Sequence, residues 1–267
     1  MNDKAMDMAQ VHEVLLDMLR YFDGVCRENG ITYFLSGGST LGAVREGGFI
    51  PWDDDVDIMM PRGDYDRLDA VLSRAGGGNY TYHSLRERDW DRPYACLMDD
   101  RTTATHTYMK YRHMGVTMDI LPMDGVCDTA EATREYYRKL RRRYVFYYAA
   151  IKQKYMDHER HLAVKKVVEA VSKLIGAHRL CVGIDRAARQ RSYDTSDYVG
   201  CAVLHHYMER ERFKREWFRE PVYLDFEGEK LPVMNGYREY LGQLYGDYMK
   251  RPENPVNPDH STTYYWK

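Results

Sequence analysis

The sequence predicts an α+β protein, with a mixed β-sheet core flanked by helices and a helical segment in the middle of the chain. Three observations predict it. Short runs rich in β-branched and aromatic residues alternate with helical patterns through residues 1–127. A long stretch from Glu131 repeats tyrosine and leucine at helical spacing. The last quarter then returns to short strands around one helix. The expected organisation is one domain over 1–267: an α/β core at 1–127, a helical segment at 128–196, and a C-terminal hairpin, helix and tail at 197–267 that pack back on the core.

Val11, Val14, Leu15, Met18, Leu19 and Phe22 recur at helical spacing and place a helix from about Asp3 to Glu28, stopped by Asn29-Gly30. Ile31 to Leu35 reads as a strand, Ser36 to Thr40 as a tight turn, and Leu41 to Arg45 as a short helix. Asp53 to Met60 alternates acidic and apolar residues as a strand closed by Pro61. Asp64 to Ser73 fits a helix, and Tyr80–Leu85, Tyr94–Met98 and Val116–Leu121 fit strands. Tyr137, Leu140, Tyr144, Tyr148, Ile151 and Tyr155 mark a long helix, with more helical sequence to about Arg191. Val222–Phe226 and Glu229–Leu231 form a hairpin around Glu227-Gly228. A short helix follows over Gly236–Met249, then an irregular tail over Pro252–Pro258.

Bulk properties remove several function classes. A chain of 267 residues buries a core without disulfide or metal staples. A net charge of −2 argues against a nucleic-acid coat protein. Five scattered cysteines with no C-x-x-C pair fit reduced thiols. The N-terminus lacks the apolar stretch of a signal peptide, and the run Tyr144–Ile151 is too short to span a bilayer. The expected compartment is the cytoplasm.

Chemistry concentrates in the acidic strand. Residues two apart project from one face of a strand, so Asp55 and Asp57 stand side by side while Val56 and Ile58 face a core. A bound Mg²⁺ or Mn²⁺ relieves their repulsion and neutralises phosphate charge. The bland alternative is a solvated acidic turn. An EF-hand loop is excluded, because its sixth position holds Ile58 in place of glycine and its twelfth holds Asp64 in place of glutamate. Gly37-Gly38-Ser39 lies under twenty residues upstream, between a strand and a helix. Glycines there admit close backbone approach, and a helix start offers N–H groups to an anion. Ser39 and Thr40 add hydroxyl donors or cap the helix. Asp119, an acid in the apolar run Val116–Leu121, is the third carboxylate expected on a neighbouring strand, while Asp124 is read as shaping the following turn.

The order of these features resembles the nucleotidyltransferase (DNA polymerase beta-like) superfamily. More closely, Tyr33 to Arg45 continuing through Gly48 to Ile58 resembles the LicD family, which includes bacterial phosphocholine transferases and is related to the fukutins. Arg62-Gly63-Asp64-Tyr65, Met118 to Gly125 and Tyr245-Gly246-Asp247-Tyr248-Met249 support the resemblance. It implies transfer of a phospho-alcohol from a CDP-linked donor, CDP-choline first, to a hydroxyl of a glycan or glycolipid of lipopolysaccharide or teichoic acid type. Asp55 and Asp57 would hold the metal, and Asp119 would complete the site or take the acceptor proton. Gly37, Gly38, Ser39 and Thr40 would hold phosphates, Arg45 would neutralise one, and His260 would reach the site. Work at the inner face of the membrane is compatible with this picture, without a transmembrane segment and without nucleic acid.

Two rivals stand beside it: a nucleotidyltransferase moving NMP from an NTP, and a non-catalytic glycan-binding module. Tyr264, Tyr265 and Trp266 suit either a cage for a quaternary ammonium or, the preferred reading, an anchor for the C-terminus. Arg141-Arg142-Arg143 reads as a solvated helix face in preference to one that attracts an anionic glycan or a membrane surface. The histidines lack zinc-site spacing.

Overall fold

A computed structural model of the chain describes residues 4–75, 78–156, 159–204, 206–253 and 262–267. The first helix, α1 (Met8–Asn29), starts later than expected because Asp7 supplies the cap. Its carboxylate accepts the Gln10 N–H at 2.9 Å, and the Gln10 side chain accepts the Asp7 N–H at 3.1 Å. Gly30 ends the helix in the left-handed region at φ 58°. The predicted apolar face is buried.

Strand β1 is only Phe34–Leu35. Ile31 still donates its N–H to Cys26 O at 2.9 Å, and Thr32 donates to the Asp64 carboxylate at 3.2 Å, so neither is free to pair in a sheet. Helix α2 (Gly37–Arg45) corrects the expected turn: the glycines form its first turn. Ser39 and Thr40 both donate their N–H to Ser36 O, at 2.9 and 3.2 Å. Strand β2 (Val56–Pro61) begins after the acidic run, so Asp53 to Asp55 form the loop leading into it. Helix α3 (Arg62–Ala75) follows directly.

Next come β3 (Tyr80–His83), β4 (Ala95–Asp99), β5 (Thr102–His106) and β6 (Thr117–Gly125). The central sheet has the order β1-β2-β6-β4-β3, with β2 parallel to β6 and the other neighbours antiparallel. Three helices follow: α4 (Ala130–Ile151), α5 (Leu162–Ile175) and α6 (Ala177–Ala188). Strands β7 (Tyr198–Gly200) and β8 (Phe213–Lys214) extend the sheet beyond the end of β6. Strands β9 (Pro221–Phe226) and β10 (Glu229–Met234) make the predicted hairpin. Its turn residues Glu227 and Gly228 have φ of 51° and 83°, the positive values a two-residue turn of this hand requires. Helix α7 (Tyr237–Tyr245) and strand β11 (Thr262–Trp266) complete the elements. β11 pairs antiparallel with β5, and Met6 donates its N–H to Tyr264 O at 2.8 Å, which fixes the tail on the core.

Asp124 does not shape a turn. It lies in β6, buried, and accepts both Nε and Nη2 of Arg62 at 2.8 and 2.5 Å. Arg62 Nη1 reaches Asp185 at 2.9 Å, so one guanidinium ties the start of α3 to the sheet and to α6.

Candidate active site

The carboxylates meet where β2 and β6 run side by side. Asp57 and Asp119 are register partners in these parallel strands, so their side chains share one face. Cys96 of β4 continues the row, opposite Asp119 on its other side. The apolar neighbours Val56, Ile58, Met118 and Ile120 are fully buried on the other face, which pins the acids in place. Asp55 joins from the loop. Asp55, Asp57 and Asp119 all line one cavity of about 500 Å³, together with Gly37, Gly38 and Asp53.

Burial acts first on Asp55 and Asp57, pushing both well above the usual carboxylate range. Repulsion adds to it: Asp57, Asp53 and Asp119 act on Asp55, while Asp119 and Asp53 act on Asp57. Their all-oxygen chemistry suits a hard divalent cation. Among the described residues, however, no group of three or more His, Cys, Asp or Glu stands in a metal-holding arrangement. The set fits a hard cation that keeps part of its shell for substrate phosphate and water.

Helix α2 forms the adjoining wall. Gly37 has φ 51°, and a Cβ there would stand 3.5 Å from Asp57 Oδ2. A Cβ on Gly38 would stand 2.6 Å from Asp53 Oδ2, so a larger residue there would push the Asp53 side chain aside. The Gly37 N–H donates to the Tyr240 hydroxyl at 2.9 Å. Ser39, Thr40 and Arg45 are not among the cavity-lining residues. The Ser39 hydroxyl accepts the Asp57 N–H at 3.0 Å, and the Thr40 hydroxyl donates to Leu35 O at 2.6 Å. Arg45 pairs with Glu46 at 2.8 Å and donates to Tyr248 O at 3.2 Å. All three hold α2 against its surroundings. His260 lies outside the described residues.

Arg92 and Glu211 are cavity residues that the sequence reading did not single out. Arg92 is buried and donates to Cys96 Sγ at 3.3 Å, and Cys96 donates to Asp119 Oδ1 at 3.0 Å, so a short chain of contacts orients the third carboxylate. Glu211 lines the same cavity at 7% exposure, with no basic partner among the described residues. Its Oε1 accepts the Tyr207 N–H at 2.6 Å, and burial pushes its carboxyl up to about 8. Tyr264 also lines the cavity. Burial first, then the Asp55 and Asp119 carboxylates, push its phenol up. Aromatics later in the chain supply another wall: Tyr207, Phe213, Tyr240 and Tyr245.

A family model described as LicD/FKTN/FKRP, nucleotidyltransferase domain, matches residues 30–153, which include every carboxylate of the β2–β6 row. Over 262 residues the chain is 30% identical to a lipopolysaccharide cholinephosphotransferase LicD of Haemophilus influenzae, covering 96% of this chain and 97% of that protein. The chain belongs to the LicD family. Shorter matches reach 52% identity over 44 residues to the ribitol 5-phosphate transferases FKRP of mouse and human, 16% of this chain and 9% of each relative. For a LicD family member, the α+β architecture is the expected nucleotidyltransferase-like one.

Proposed function

We propose that this chain is a metal-dependent phosphotransferase that moves a phosphocholine-type group from a CDP-linked alcohol to a hydroxyl of a cell-surface glycan, of lipopolysaccharide or teichoic acid type. The observation that carries the reading is the row Asp57–Asp119 with Asp55, half-buried and lining one cavity together with the glycine start of α2. Relatives named for cholinephosphate and ribitol phosphate transfer support the reaction class.

Asp55 and Asp57 would hold Mg²⁺ or Mn²⁺, which supplies charge neutralisation at a diphosphate. Gly37 and Gly38 leave room for the donor phosphates to approach the helix start. Asp119, oriented through Cys96 and Arg92, faces the same space and takes the acceptor proton or completes the cation shell. Arg92, the one arginine lining the cavity among the described residues, faces phosphate charge more directly than Arg45. A cationic alcohol is favoured by the aromatic wall Tyr207, Tyr240 and Tyr245, and its charge would draw the proton from Glu211, which lines the same cavity. The fukutin-related matches raise an uncharged polyol as the second donor alcohol.

A screen of CDP-choline, CDP-ethanolamine and CDP-ribitol with Mg²⁺ and glycolipid acceptors tests the reading. Released CMP together with modified acceptor supports it. Pyrophosphate release from a nucleoside triphosphate would assign the chain to nucleotidyl transfer instead, and metal-dependent donor binding without turnover would assign it to glycan or nucleotide binding.

A further inference from the structure

Helix α5 is built unlike the others. It has 14 residues, and Ser172 is its one buried residue. Val164, Val167, Val171 and Leu174 are 65%, 64%, 45% and 86% exposed. At 100° per residue these four fall on one strip; Ala163 and Ala170 continue it, and the exposed Lys166 and Lys173, the latter paired with Glu169, close its far edge. No side chain of α5 belongs to the hydrophobic core. Helix α4, on which α5 packs, adds a similar face: Arg138, Arg142, Val145 and Phe146 lie opposite its buried residues and are exposed.

Charge decides what covers this surface. Between Ala130 and Ala188 the chain has 14 Lys and Arg against six Asp and Glu, whereas the whole chain has 39 against 41. A second copy seated on the strip would bring two strongly basic segments together. An anionic lipid bilayer matches both the apolar strip and its lysine edge. No helix among the described residues is long and apolar enough to cross a membrane, so the contact is peripheral.

We infer that α5, with the outer face of α4, docks this chain on an anionic phospholipid surface, the helix lying in the interface with its valine and leucine strip in the acyl boundary. The basic face of α4, read from sequence as merely solvated, thereby gains a role. Helix α4 also supplies Tyr148 to the cavity, so a bilayer under α5 is one helix away from the site where a glycolipid would be modified. The docking does not depend on the reaction proposed above, and its test reads binding alone.

The full chain is sedimented with phosphatidylcholine vesicles, with and without phosphatidylglycerol. It is expected to bind the anionic vesicles and to be released by salt. Val167→Asp/Leu174→Asp weakens partitioning about tenfold or more. Lys166→Gln and Lys173→Gln each weaken it about fivefold. These positions are exposed, and unchanged circular dichroism and melting confirm intact variants. A parent chain left in the supernatant with anionic vesicles overturns the inference, as does a double-aspartate variant that sediments like the parent. So does a concentration-dependent dimer, abolished by the same variant, without vesicle binding; that result assigns the strip to a second copy.

Discussion

Asp57 and Asp119 stand side by side on adjacent parallel strands, two acids in register on one face of the sheet. Their proximity destabilises the folded protein whenever both are ionised, because burial weakens their solvation. Replacing one by its neutral isostere removes that penalty. Asp57→Asn is therefore expected to melt at or above the parent temperature while losing at least ~10³-fold in transfer rate. A variant that melts much lower would mean that Asp57 serves the fold.

Glu211 gives a pH signature. Its folded pKa, about 8, lies above the ordinary value of 4.5. The folded state thus holds this proton more tightly than the unfolded one. The stability it contributes is complete below pH 4.5 and is lost as pH rises through about 8. Glu211→Gln should flatten that part of the stability-versus-pH profile by about 2–5 kcal/mol, read from urea unfolding at each pH. If Glu211 serves a cationic alcohol, the same variant loses preference for CDP-choline over CDP-ribitol. An unchanged profile and unchanged preference would remove Glu211 from the account.

The glycine wall is open to test by a single methyl group. Gly37→Ala places alanine at φ 51° and should cost about 1–2 kcal/mol in urea unfolding. Gly38→Ala forces Asp53 aside at the cavity and should cut transfer more than it cuts stability. Equal effects on both measures would make the wall structural.

Arg62→Met leaves Asp124 buried without its partner and should destabilise by about 3–5 kcal/mol. The double change Arg62→Met/Asp124→Leu should recover much of that loss, as a thermodynamic cycle in urea will show.

The acidic row was legible because strand alternation turns Asp57 away from the core and because Asp119 interrupts an apolar run, whereas Asp55, expected on the same strand, reaches the site from the loop before β2. What escaped was whatever depends on distant pairing. β5 and β11 lie far apart in sequence, and nothing in Thr102–His106 or Thr262–Trp266 names its partner. Arg92 and Glu211 sit outside regular strands and long helices, where no period marks which way a side chain turns. The Gly-Gly-Ser segment was misread as a turn because glycine's low helix propensity is overridden by the bonds of Ser39 and Thr40 to Ser36 O. The tail aromatics were judged an anchor, and Tyr264 both anchors and lines the cavity.

The most direct test of the shared cation is a calorimetric titration of Mn²⁺ into the full chain, with and without CDP-choline. The account predicts weak binding that tightens when the donor is present and disappears in Asp55→Asn and Asp57→Asn. Binding of equal strength in the parent and both variants, or no tightening by the donor, contradicts it.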